Sequence, residues 1–177
     1  ILDSGLPQDK AIDIFIPLPS TGEGQRGLEQ RSDFTGEEGT ERVYGNRYYH
    51  VHRAAGGKQS IAGAMQWTIA RSAVTVDTEV AIDQAQTALF LAPNERVPVD
   101  HEVLDPILAE VYAARPDDSK SATARAIYDW VVDNVQYKKV GTGWGNGDTF
   151  WACSERYGNC TDFHALFISL ARSEDIP

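Results

Sequence analysis

The 177-residue sequence lacks a long apolar run, and nowhere does it approach the roughly 20 consecutive apolar residues of a membrane-spanning helix. It is also short of positive charge, because 16 Lys and Arg stand against 26 Asp and Glu, for a net charge of -10. A chain with this excess of acid is repelled by nucleic-acid backbones and by anionic membranes. Composition therefore predicts neither a nucleic-acid partner nor a membrane span.

Cysteine and histidine are scarce as well, with two and four residues respectively. Two cysteines are too few for a disulfide scaffold. His50 and His52 share one face of a predicted strand, but no third ligand follows at a recognised metal-binding spacing, so we interpret them as half-exposed strand residues. His101 precedes a predicted helix and is expected at the surface. The sequence predicts no metal site and no organic cofactor.

What is present divides into two patterns, and the first covers residues 1–97. Three segments carry apolar or β-branched residues at the period of two that is typical of strands: "AIDIFIPLP", "ERVYGNRYYHVHRAAGGK" and "SIAGAMQWTIARSAVTV". In the first, the alternating residues are Ile12, Ile14 and Ile16. The second is interpreted as two strands around Gly45-Asn46, with a turn at residues 54–57. The polar stretch 20–39 favours a long loop with at most one short strand. This first part is predicted to be an antiparallel β-sandwich domain.

In residues 98–177 the apolar period switches to 3.6, which predicts helices. One stripe ends near Arg115, and a second helix runs from about Ser119 to Tyr137. A glycine-rich loop, "KKVGTGWGNGD", leads to a short helix that Asp148 is expected to cap, and the last helix begins at Cys160. The apolar stripes of the three longer helices are Leu104, Ile107, Leu108 and Val111; Ile127, Trp130, Val131 and Val135; and Phe163, Leu166, Phe167 and Leu170. The fold class is therefore α+β.

Cys160 stands where the last helix begins, after Asn159, a preferred N-cap residue, and two positions before Asp162. Backbone N–H groups at a helix N-terminus favour negative charge, so they can stabilise a thiolate and an oxyanion. Position alone leaves two interpretations open: a catalytic nucleophile or a buried structural thiol. A disulfide to Cys153 needs a turn that brings the two Cα atoms within about 7 Å. It would block a nucleophile, so we interpret Cys153 as a reduced core residue.

The segments "ARAIYDWVVDNVQY", "GTGWGNGD" and "WACSERYGNCTDFHALFISLARSEDIP" closely resemble the bacterial transglutaminase-like superfamily, whose core has the papain-like cysteine protease fold. The match is nearly continuous over Gly158 to Pro177 and departs at "SED" before Ile176. "FIPLP", Gln25 and "YGNRYYHV" also follow the order of such proteins. The resemblance implies that residues 98–177 form the helical half of a transglutaminase-like core, with Cys160 as the nucleophile.

The same resemblance implies a histidine base and an aspartate some tens of residues after the cysteine helix. Those positions fall beyond Pro177, so the chain is interpreted as a fragment of a longer enzyme and expected to be inactive by itself. His164, one turn after Cys160, is expected to support the thiol as Asn159 and Asp162 do, rather than to act as the base.

Trp144 lies among glycines in "GTGWGNGD", and its indole N–H is a donor only. It is a candidate for steadying an oxyanion or for lining the cleft, and an equally good candidate for a core aromatic that anchors the loop.

The predicted function is amide chemistry on peptide or glutamine carbonyls through a thioester on Cys160, by hydrolysis or by transfer to an amine. The predicted partner is a protein or peptide substrate. A homodimer or segment exchange at the C-terminal end is also expected, because the two preceding helices are not expected to cover every apolar residue of the final helix. The alternative function is a non-catalytic binding or scaffolding protein that uses the β-sandwich.

Overall fold

The structure is a computed structural model that describes residues 10–22, 24–54, 62–74 and 82–177. Contacts divide the chain into two compact units, Ile1–Thr78 and Glu79–Pro177. The first unit holds antiparallel strands and the second holds helices, so the predicted α+β class is confirmed. None of the described helices is long and apolar enough to cross a membrane.

The described part of the first unit forms two antiparallel sheets. The strands are β1 (Ile12–Pro17), β2 (Gln25–Ser32), β3 (Glu37–Thr40), β4 (Arg47–Arg53) and β5 (Met65–Arg71). One sheet has the order β1-β4-β3, and the other pairs β2 with β5 around a bulge between Gly27 and Glu29. Ile14 lies opposite Val51, whose side chain is fully buried. The packing of the two sheets as a sandwich stays a prediction.

Two sequence predictions for the first unit are wrong. The stretch 20–39 was predicted as a long loop with at most one short strand, yet it contributes the eight-residue β2 and most of β3. The segment before Gly45 was predicted as a strand, yet residues 42–44 form the turn that joins β3 to β4. Glu41 stabilises that turn by accepting the N–H groups of Val43, Tyr44 and Asn46. The predicted turn at 54–57 extends beyond the described residues, because 55–61 lie outside them.

The second unit consists of five α-helices, one 3-10 helix and a short parallel strand pair among its described residues. The elements are α1 (Gln84–Leu91), a 3-10 helix (Glu102–Leu104), α2 (Asp105–Ala114), α3 (Lys120–Asn134), β6 (Gln136–Tyr137), α4 (Thr149–Glu155), β7 (Tyr157–Gly158) and α5 (Cys160–Ser173). Helix α1 was missed, because the sequence pattern favoured strands up to residue 97. Helices α2, α4 and α5 lie where the sequence predicts them, and Ser119 and Asp148 cap α3 and α4. The predicted end of the second helix at Tyr137 is wrong, because α3 ends at Asn134 and the next residues form β6.

The core of the second unit comes from the predicted apolar stripes. Leu104, Ile107 and Val111 meet Ile127 and Leu166 with at most 1% of each side chain exposed. Parallel pairing of β6 with β7 then fixes the chain just before α5, because the Lys138 N–H donates to the Gly158 carbonyl at 2.9 Å. This packing places the start of α5 at a defined point beside the core.

Candidate active site

Cys160 is the first residue of α5, and its reduced side chain is exposed. The helix starts here because Asn159 and Asp162 form a capping box: the Asn159 side chain accepts the Thr161 N–H at 2.9 Å, and the Asp162 carboxylate accepts the Asn159 N–H at 3.0 Å. The predicted helix boundary is confirmed. The geometry presents a thiol to solvent at the positive end of a 14-residue helix.

The first turn of α5 keeps one amide available. The Asp162 and Phe163 N–H groups donate to the Asn159 carbonyl at 3.1 and 3.2 Å. Within the described part of the chain, the Cys160 N–H has no hydrogen-bond acceptor. A free N–H beside a thiol is the kind of donor that stabilises the oxyanion formed when the sulfur attacks a carbonyl carbon.

Residues 141–147, here called the glycine loop, lie against the start of α5. Gly141, Gly143, Gly145 and Gly147 all have positive φ, between 63° and 107°, a region that side chains with a Cβ rarely adopt. A Cβ on Gly145 would lie 3.2 Å from the Asn159 amide nitrogen, and one on Gly147 would lie 2.9 Å from the Thr161 methyl group. Alternate glycines therefore allow the backbone of this loop to approach the N-cap closely.

Trp144 lies in the middle of the glycine loop and is half-buried. Its indole N–H donates to the Gly141 carbonyl at 3.1 Å, and the Lys139 ammonium lies 6.0 Å from its ring. The indole donor is therefore engaged within the loop, so this conformation leaves the ring face rather than the N–H for a substrate.

Asp162 has a wider role than the sequence suggested. Its carboxylate is fully buried and accepts N–H groups from Gly145 at 2.7 Å and from Gly147 at 3.2 Å, in addition to the capping bond from Asn159. Sequence analysis found only the favourable position of Asp162 at the helix start. Gly145 and Gly147 lie 17 and 15 residues before Asp162, so local pattern around Asp162 could not indicate the contact. The alternating glycines of the loop are the one sequence signal that could have suggested it.

The four histidines lie in different structural surroundings. His164 is exposed on α5, one turn after Cys160, and His101 caps the 3-10 helix by accepting the Val103 N–H. In the first unit, His50 and His52 lie 2.7 and 2.9 Å from the same Asp13 oxygen, a cluster the sequence analysis missed. These two contacts hold the pKa of the Asp13 carboxyl below its ordinary value. Among the described residues, no group of three His, Cys, Asp or Glu side chains is arranged to hold a metal ion.

Cys153 differs from Cys160 in its surroundings. It lies in α4 and packs against the core, and burial raises the pKa of its thiol to about 11. Both cysteines are reduced in the structure. A thiol with such a pKa is almost wholly protonated at neutral pH, so Cys153 is unsuited to nucleophilic attack.

Fold and site together define an α+β protein whose helical unit presents a thiol at a capped helix start, beside a glycine loop. Comparison with known families agrees, because residues 108–177 match the model of the Transglutaminase-like superfamily. This part of the chain is therefore similar to that superfamily.

A crystal structure of a protein from Cytophaga hutchinsonii, described there as a proposed cysteine protease, is similar with a TM-score of 0.63 at 19% identity. The match covers 93% of this chain and 58% of the other, so the chain spans little more than half the length of that protein. At this identity the similarity shows a shared fold and nothing more. No curated protein matches the sequence.

Proposed function

We propose that the Cys160 thiolate attacks the carbonyl carbon of a peptide or glutamine amide. A C–S bond forms, the C–N bond breaks, and the amine leaves with a proton from a general acid. Water or a second amine then resolves the thioester, so hydrolysis and acyl transfer share this intermediate. The observation that carries the proposal is the exposed thiol at the first turn of α5 with its own N–H unpaired, inside the segment that matches the superfamily.

The general base of this reaction is proposed to be a residue other than the four histidines. His164 shares a helix face with Cys160, which leaves little room for a substrate carbonyl between them. His50, His52 and His101 all have partners elsewhere. The resemblance to the superfamily supports a histidine and an aspartate that follow the cysteine helix. We therefore expect this chain to form a thioester but not to turn over amides.

The proposal is tested by comparing two reactions of the same thiol. Iodoacetamide alkylates a thiolate without forming an oxyanion, whereas p-nitrophenyl acetate acylates it through a tetrahedral oxyanion. We define the normalised ratio as the acylation rate divided by the alkylation rate, relative to the same quotient for N-acetylcysteine amide. Both reactions use the thiolate, so the amount of thiolate cancels. The normalised ratio therefore reports stabilisation of the oxyanion. The measurement is made on a Cys153→Ser chain, and mass spectrometry locates the label.

Because one oxyanion donor contributes about 100-fold or more in known sites, we expect a normalised ratio of at least about 10 at Cys160. A ratio near one would show that the site gives no help to carbonyl chemistry, and would contradict the proposal. Amide turnover by this chain that is lost in His164→Ala would instead show that His164 is the base. The alternative, a binding or scaffolding role, gains no specific support from the described strands.

The identity of the substrate as a protein or peptide stays a prediction from the sequence.

A further inference from the structure

The carboxylate of Asp162 connects two parts of the candidate site that are distant in sequence. Oδ2 accepts the N–H groups of Gly145 and Asn159, at 2.7 and 3.0 Å, and Oδ1 accepts the N–H of Gly147 at 3.2 Å. The side chain is fully buried, so water does not compete for these oxygens. One carboxylate therefore joins the glycine loop to the first turn of α5.

Capping alone does not explain this arrangement. A capping box needs only one acceptor for the N-cap N–H, and Glu or Gln normally supplies it from the helix surface. A buried carboxylate is costly unless hydrogen bonds compensate for its lost hydration, and two of the three bonds here come from the loop. Gly158 makes the room, since a Cβ there would lie 2.3 Å from Oδ2. The backbone on both sides is shaped around the carboxylate.

We propose that Asp162 is a positioning residue for the reaction at Cys160, and this inference rests on the proposed function of that thiol. By holding Gly145 and Gly147, the carboxylate fixes the glycine loop, and with it Trp144, against the turn that carries Cys160 and its unpaired N–H. The loop forms a wall of the site, and its distance from the thiol is set by these bonds. The carboxylate itself contacts neither substrate nor sulfur in this role.

The attachment of the loop is tested by amide hydrogen exchange at Gly145 and Gly147 in the whole chain. Asp162→Ala removes both acceptor oxygens and with them all three hydrogen bonds, so both amides should exchange at least about tenfold faster. Asp162→Asn preserves the shape of the side chain but offers one oxygen. With that oxygen at the Oδ2 position, Gly145 stays protected and only Gly147 exchanges faster.

The matched control is Ser169→Ala, on the same helix. Ser169 is fully buried and its hydroxyl pairs with that of Thr149 at 2.8 Å, so its loss weakens α5 without touching the loop. Exchange at Gly145 and Gly147 should remain as in the wild type.

The role in the reaction is tested by the normalised ratio of acylation to alkylation at Cys160. A loop that moves away should lower the ratio by about tenfold in Asp162→Ala, because small displacements of positioning groups have effects of that size or larger. Ser169→Ala should leave the ratio unchanged. Loss of a negative charge near the thiol changes both reactions alike and cancels in the ratio.

Faster glycine exchange together with a lower ratio, in the Asp162 variants only, supports the inference. Unchanged exchange in Asp162→Ala overturns it, because the loop is then held by other contacts. Faster exchange with an unchanged ratio, where the wild-type ratio is high, also overturns it, since the bonds are then purely structural. A wild-type ratio near one is the separate failure of the proposed function, and the positioning role fails with it.

Discussion

Cys153 and Cys160 lie on neighbouring helices, α4 and α5, in contrasting surroundings. Cys160 is exposed at a helix start, whereas Cys153 packs against the apolar core of the second unit. Burial is the main cause that raises the pKa of Cys153 to about 11, and the nearby Arg156 only partly opposes it. At pH 8 such a thiol is ionised in about one molecule in a thousand.

We expect iodoacetamide at pH 8 to label Cys160 at least about 100 times faster than Cys153, because Cys160 is exposed whereas burial keeps the Cys153 thiol protonated. Labelling of Cys153 should rise about tenfold for each pH unit up to its pKa near 11, as long as the chain stays folded. Mass spectrometry of peptides from Cys153→Ser and Cys160→Ser chains assigns each rate. Equal rates in the folded chain would contradict the contrast in burial.

Local pattern was enough to predict where Cys160 lies. Asn159 and Asp162 form their capping box within four residues, so the residues that determine the helix start are adjacent in the sequence. The bonds from Asp162 to Gly145 and Gly147 depend instead on tertiary packing, which residue spacing does not reveal. The pairing of the Trp144 indole with Gly141 is also a property of the folded loop.

At the scale of elements, the glycine loop is the part with the strictest backbone requirements. Gly141 and Gly143 both have positive φ, at 74° and 107°. A Cβ on Gly141 would meet no atom within 4 Å, whereas one on Gly143 would lie 2.3 Å from the Trp151 ring. A side chain at either position would therefore strain the backbone, but only one at Gly143 would also clash with a neighbouring side chain.

Gly141→Ala should lower the free energy of unfolding by about 1 kcal/mol, the cost of a side chain at positive φ. Gly143→Ala should cost about 2 kcal/mol more, because the ring must move out of its packing. Urea unfolding followed by circular dichroism measures both. Equal losses for the two variants would show that the loop moves away freely and that Gly143 does not pack tightly on Trp151.

The sequence predicted the helices that bury an apolar face and missed elements whose residues are mostly exposed. Helices α2, α3 and α5 each bury a continuous stripe, and the period of that stripe is visible in the sequence. Strand β2 shows seven exposed residues out of eight, so no alternation marks it as a strand. Helix α1 has no buried residue, so it presents no apolar face, although Asp83 provides an N-cap that could have indicated it.

At the scale of the whole molecule, the main apolar core lies within one unit. Its thirteen buried members run from Leu104 to Ala171, and all belong to Glu79–Pro177. Of the described residues in the other unit, only Leu18 and Val51 are buried apolar side chains. The second unit thus contains its own hydrophobic core, which the helical periods predicted, while the sandwich of the first unit stays a prediction.

A chain of residues 79–177 should therefore fold without the first unit and keep a cooperative urea transition, because burial of its own apolar side chains supplies the driving force. The labelling rate of Cys160 should stay within about twofold of that in the whole chain, because we expect the start of α5 to be unchanged. A non-cooperative transition, or loss of helical circular dichroism, would show that the second unit depends on the first.

The C-terminal helix was expected to need apolar cover from a second copy. Instead, Leu166 and Leu170 are fully buried within the second unit, and Ala165 is 3% exposed. Phe163 and Phe167 pack against the same core, which leaves Ile168, 37% exposed, as the large apolar side chain that α5 presents to solvent. The sequence could not show this cover, because it comes mainly from α3 and α4, which pack on α5 only in the folded unit.

One side chain offers far less than the roughly 1,200–2,000 Å² that a stable protein interface buries. We therefore expect light scattering at tens of micromolar (about 50 μM) to give the mass of one chain, and Ile168→Lys to leave that mass unchanged. The variant is a sensitive test because a buried lysine would be costly in any contact through α5. A wild-type dimer that Ile168→Lys converts to a monomer would show that the sequence-based expectation of pairing through this helix is right. A dimer that Ile168→Lys leaves intact would place the contact on another surface.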